Sequence, residues 1–125
     1  MSGFVRLAIA KNIKQRQVFR MKQYTLYLGL NDKDSKLQEV STIEAFKLVQ
    51  KLIASSFDGA TIFEAVGVYK HLDGTFTTEN TLRIELLEID NPLLDKVRDL
   101  VKTLKSVFNQ ESIAIQIQDV NSDLW

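Results

Sequence analysis

Between Gln23 and Leu28 the chain reads QYTLYL, with Tyr24, Leu26 and Leu28 on one side and Thr25 and Tyr27 on the other. A period of two in aromatic and β-favouring residues predicts a strand with one apolar face. The segment that follows, GLNDKDSKLQEVS, is polar and charged and predicts a mobile loop. The spacing then becomes helical, with Ala45, Phe46, Leu48, Val49, Leu52 and Ile53 along one side. Ser41-Thr42-Ile43-Glu44 is a capping box, in which the serine oxygen accepts from the amide of Glu44. Asp58-Gly59 is expected to close that helix, because glycine takes the left-handed conformation.

Two runs of β character, ATIFEAVGVYK and TFTTENTLRIELLEI, flank His71-Leu72-Asp73-Gly74. Asp-Gly between such runs predicts a hairpin. In the second run Leu82, Ile84 and Leu86 alternate with Arg83 and Glu85. In the first, either Ile62, Glu64, Val66 and Val68 or Phe63, Ala65, Gly67 and Tyr69 can form the core face. Asn91-Pro92 predicts a helix start, with Asn as cap and Pro at the first helical position. Leu93, Val97, Leu100, Val101, Leu104, Val107 and Phe108 form its apolar stripe. Ser112 to Asp119 alternates Ile113, Ile115 and Ile117 with Ala114, Gln116 and Gln118, which predicts a last strand.

The order is βαββαβ, which predicts an α+β, ferredoxin-like fold: a four-stranded antiparallel sheet with two helices on one face. The other face, lined by Thr25, Tyr27, Arg83, Glu85, Ala114, Gln116 and Gln118, is then wet, covered by the N-terminal segment or buried between copies. The expectation is a homo-oligomer, dimer or trimer.

Composition narrows the chemistry. A chain of 125 residues is one domain. With no cysteine, disulfides, thiolate catalysis and Cys-based metal sites are excluded, and a single histidine leaves no second imidazole for a metal set. The balance of 16 basic and 16 acidic residues is uneven along the chain. Residues 1–22 hold six Lys/Arg and no acid, so the rest holds 16 − 6 = 10 basic against 16 acidic residues. An acidic body argues against general nucleic-acid binding, except through the basic N-terminal segment. The expected division is a basic extension over 1–22 and a domain over 23–125. The extension is read first as an appendage and second as an interaction arm. Its apolar stretch, Leu7 to Ala10, is too short for a membrane span, and the expected location is cytoplasmic.

Three stretches resemble a bacterial domain-of-unknown-function family, number 3574, across Tyr24 to Ile117. They are Tyr27-Leu28-Gly29, then Gly59 to Tyr69 followed by Asp73-Gly74, and Phe108-Asn109-Gln110-Glu111-Ser112-Ile113. The likeness implies the fold and no activity. A fainter likeness, to ferredoxin-fold proteins of the nitrogen-regulator PII group, rests on element order and a Gly-x-Thr second strand. It implies that a ligand can sit between subunits.

Candidate chemistry is sparse. His71, beside a turn, is read as solvent-exposed or bonded to backbone before it is read as a base. Glu64 is expected to pair with Arg83 if it points inward, because an unpaired buried carboxylate is costly. Gln110-Glu111-Ser112 satisfies the helix end or, with Tyr69, Glu79 and Asn80, rings a pocket for a polar ligand. The ligand-binding candidates are therefore Glu64, Tyr69, His71, Glu79, Asn80, Arg83, Gln110 and Glu111. The oligomer-face candidates are Thr25, Tyr27, Arg83, Glu85, Gln116 and Gln118. No catalytic residue, metal or cofactor is assigned. NDKDSK alternates acids as calcium loops do but lacks the glycine and distal glutamate of an EF-hand. The expected function is a binding protein of bacterial or phage type, taking a small polar ligand or a protein partner at a subunit seam. The alternatives are an enzyme using Glu64, His71 or Glu111 for proton transfer, and a nucleic-acid contact through the N-terminal segment.

Overall fold

The computed structural model describes residues 19–88 and 93–122. It contains β1 (Phe19–Gly29), α1 (Thr42–Ala54), β2 (Thr61–Lys70), β3 (Phe76–Glu88), α2 (Leu93–Val107) and β4 (Ala114–Ser122). The strands form one antiparallel sheet in the order β2-β3-β1-β4. This is the expected ferredoxin-like arrangement. The basic segment before Phe19 and the Asn91-Pro92 cap lie outside the described residues. Among the described residues no helix is long and apolar enough to cross a membrane.

Alternation sorts the side chains. Tyr24, Leu26 and Leu28 of β1 and Leu82, Ile84 and Leu86 of β3 join Ala45, Val49 and Ile53 of α1 and Val97, Leu100 and Leu104 of α2, with Phe108, in one core. Every strand residue in that cluster has the same parity, so both helices cover a single face. Ser41 caps α1, its hydroxyl accepting from the Glu44 amide at 3.2 Å. The helix stops at Ala54, with Ser55 as a right-handed cap, and Gly59 does not adopt positive φ. Gly59 is thus not the closing residue. Val107 and Leu48, expected in the apolar stripes, are exposed on the outer sides of their helices.

β1 begins four residues before Gln23, and Phe19 to Lys22 pair with Ser122 to Asp119 of β4. β2 is an edge strand. Ile62 packs on the core, whereas Glu64, Val66 and Val68, on the same parity, are exposed. The hairpin closes over His71 to Thr75, with Gly74 at φ 88° and the Asp73 carboxylate accepting from the Thr75 amide and hydroxyl.

Candidate functional site

The uncovered face has two parts. Its middle carries an aromatic and ionic row. The Arg83 guanidinium lies 5.9 Å from the Tyr27 ring centre and 5.5 Å from that of Phe63, and bonds the Glu85 carboxylate at 2.8 Å. Its buried Nε has no hydrogen-bond partner among the described residues. The Tyr27 hydroxyl donates to Gln116 Oε1 at 3.2 Å, and Thr25 is almost fully buried. The expected pairing of Arg83 with Glu64 does not occur. Arg83 opposes Phe63 and Glu64 opposes Leu82, so the two side chains stand on opposite faces of the sheet.

At one end of this face a cavity of about 510 Å³ opens, within the range of small-molecule sites. The strands contribute Tyr27, Gly29, Tyr69, Thr77, Glu79 and Ala114. The β1–α1 loop and the link from α2 to β4 supply the walls, including Asn31, Lys33, Gln110 and Glu111.

Two glycines shape the floor. A Cβ on Gly29 would lie 2.4 Å from Glu79 Oε1, so only glycine lets that carboxylate lie over β1. There Glu79 Oε2 accepts from the Asn31 amide at 3.0 Å. A Cβ on Gly67 would lie 2.9 Å from the Tyr69 ring, which folds back across it. Burial, and then the negative charge of Glu79, push the Tyr69 hydroxyl above its ordinary value.

The walls are bonded to each other. α2 ends in a Schellman motif: Asn109 takes φ 48°, and the Gln110 amide reaches back to the Lys105 carbonyl at 3.0 Å. The Asn109 amide group donates to Asp32 Oδ1 at 2.7 Å and Asp34 Oδ2 at 2.9 Å. The Gln110 side chain donates to the Asn31 carbonyl at 2.6 Å and to that of Phe108. The β1–α1 segment is therefore tied down rather than the mobile loop its polarity suggests. The Ser35 amide, the Asn109 side chain and the Asp34 amide hold the Asp32 carboxyl below its ordinary range. A depressed folded value stabilises above the ordinary value and is lost as pH falls through the folded one. Asn109→Gly keeps the backbone conformation but removes two side-chain bonds. Asp32, followed by NMR titration, is then expected to move up towards its ordinary value. Asn109→Ala is expected to cost about 1 kcal/mol more than Asn109→Gly, because alanine resists positive φ. Equal chemical denaturation of the two variants would refute that account of the helix end.

Of the eight ligand-binding candidates, Tyr69, His71, Glu79, Gln110 and Glu111 line this one cavity. His71 is exposed, its Nε2 bonded to the Thr77 hydroxyl across the hairpin. Glu64, Asn80 and Arg83 do not line it. Asn80 faces the opposite way and donates to Gln38 Oε1 at 2.8 Å. Glu64 is exposed, far from His71 in register and on the other face, so the trio Glu64, His71 and Glu111 does not converge. Sequence reasoning missed Gly29, Asn31, Thr77, Lys33 and Lys36. Thr77 had a signal, since it stands two residues before Glu79 on the same strand. Among the described residues no group of three or more His, Asp or Glu side chains could hold a metal ion.

Comparison with solved structures finds the same fold elsewhere. A phage SAM lyase in complex with S-methyl-5′-thioadenosine is 25% identical, with a TM-score of 0.60, covering 83% of this chain and 88% of that one. A phage SAM lyase in its apo state is 24% identical, with a TM-score of 0.62, covering 85% and 87%. A Bacillus cereus protein related to NIF3 is 12% identical, with a TM-score of 0.53, and the matched part is 27% of that chain. No curated protein matches the chain. The family described as "Protein of unknown function (DUF3574)" matches residues 23–123. With nearly all of the sheet and both helices inside that match, the chain belongs to the DUF3574 family.

Proposed function

We propose that this protein binds a small adenosine-type thioether or sulfonium compound, related to S-methyl-5′-thioadenosine, in the cavity at the end of the uncovered sheet face. The observation that carries this reading is the convergence of Tyr69, Glu79, Gln110 and Glu111 on one cavity in a chain 25% identical to a phage SAM lyase holding that nucleoside. The chemistry is suitable. Carboxylate and amide acceptors suit ribose hydroxyls and an exocyclic amine. The rings of Tyr27 and Tyr69 suit a purine face or a sulfonium centre.

Self-association through the middle of the uncovered face belongs to the same reading. It is supported by the exposed Phe63 ring beside Arg83. A lyase reading, in which the cavity also cleaves S-adenosyl-L-methionine, is supported by Tyr69 and Glu79 lining the same cavity in a chain 25% identical to a phage SAM lyase.

One set of measurements tests all three. Titration calorimetry with S-methyl-5′-thioadenosine is expected to show saturable binding that Glu79→Gln weakens by roughly tenfold. Light scattering on the same sample is expected to give a dimer or trimer mass. Incubation with S-adenosyl-L-methionine, followed by chromatography, reports the lyase reading through release of S-methyl-5′-thioadenosine. Binding of neither compound overturns the proposal.

A further inference from the structure

The cavity is electrically two-sided. Glu79 and Glu111 lie on its sheet and helix-link sides; from the β1–α1 loop it is lined by Lys33 and Lys36 and by Asp32, whose carboxylate is taken up by the Asn109 side chain and the Asp34 and Ser35 amides. Neither lysine takes part in an ion pair among the described residues. Both are held by their backbones. The Lys33 amide donates to the Asn109 carbonyl at 3.0 Å, and the Lys36 amide to the Asp32 carbonyl at 2.9 Å. Lys36 also sits at φ 63°, a left-handed conformation that a residue with a Cβ seldom takes. The surrounding turn over-determines that conformation: Asp32 Oδ2 accepts from the amides of Asp34 and Ser35 at 2.8 and 2.9 Å. A strained backbone, kept by a dense set of hydrogen bonds at the rim of a cavity, directs attention to the side chain it presents.

We propose that Lys33 and Lys36 bind the carboxylate of a zwitterionic ligand, so that the site prefers an adenosyl sulfonium carrying its amino-acid tail over a neutral thioether nucleoside. This rests on the reading of the cavity given above and adds the class of compound it selects. The division of labour follows from charge. The acidic side of the cavity suits the ammonium and sulfonium of such a ligand, and the basic rim suits its carboxylate. Both lysines are exposed, so the contribution is screened by salt.

The test uses the full chain and two compounds, S-adenosyl-L-methionine and S-methyl-5′-thioadenosine, which differ in the charged tail. In Lys33→Gln/Lys36→Gln, calorimetric affinity for S-adenosyl-L-methionine is expected to fall roughly tenfold, with affinity for S-methyl-5′-thioadenosine unchanged. The salt dependence of S-adenosyl-L-methionine binding is expected to flatten in the same variant. Lys33→Arg/Lys36→Arg, which keeps both charges, is expected to retain the preference. Equal losses for the two compounds, or none for the charged one, overturn the assignment. So does a wild-type protein that binds S-methyl-5′-thioadenosine alone, an outcome that leaves the reading of the cavity standing. Binding of neither compound removes both.

Discussion

Leu26→Ala is expected to lower stability by about 3 kcal/mol, with a fall in melting temperature of roughly 10 °C for a domain of this size. Leu26 is completely buried on a central strand, between Ile84 and Ile115 in register. Both helices pack on the face it occupies, so truncation leaves a hole that they and the sheet fill only in part. Gln118→Ala is the matched control. It lies on β4 with the opposite parity and is exposed, and its expected effect is within about 0.5 kcal/mol. Thermal and chemical denaturation of the pair measure directly whether the apolar core is one-sided. Comparable losses at both positions would mean that the second face is as much a core as the first.

The second large effect is on binding rather than folding. Gly29→Ala places a methyl group 2.4 Å from Glu79 Oε1 and 2.6 Å from its carboxyl carbon. The obstructed atoms are the end of a flexible side chain, so Glu79 swings aside and the fold survives. The stability cost is about 1 kcal/mol, chiefly the Asn31 amide losing its acceptor. The carboxylate no longer lies over β1, and affinity for S-methyl-5′-thioadenosine is expected to fall at least roughly tenfold. If the two residues act through one carboxylate, Gly29→Ala and Glu79→Gln are strongly non-additive. Independent, summing losses in a double-mutant cycle would show that Gly29 shapes something else.

Both effects mark how far the sequence was legible. Period-two alternation in β1 and β3 and helical spacing in α1 and α2 recovered the element order, the one-sided core and the face left open. Those strands are central and those helices cover them, so pattern and burial coincide. β2 resisted because it is an edge strand. Glu64, Val66 and Val68 have the parity of Ile62 yet stand exposed, so neither parity reads as a continuous core face. That ambiguity produced the expected Glu64–Arg83 pair, which the register forbids. The loop after β1 misled for a different reason. Its polarity is spent on bonds to the end of α2, through Asn109 and Gln110, and a partner about 75 residues away in sequence leaves no local trace. The cavity lies where these two segments meet. Tyr69, His71, Glu79, Gln110 and Glu111 were legible because each sat in a turn, a strand end or a family-like motif. Lys33 and Lys36 were not, because a lysine in a charged loop looks like any other.

The placement of β1 between β3 and β4 bears on how the chain is made. Met21 meets Val120, and Leu26 meets Ile115, so one flank of a central strand waits for residues roughly ninety to one hundred positions downstream. At ribosomal speeds of about 5–20 residues per second, that delay is on the order of 5–20 s. Until then the nascent sheet keeps an unpaired flank beside Leu26 and Leu28, which is open to pairing with the wrong neighbour.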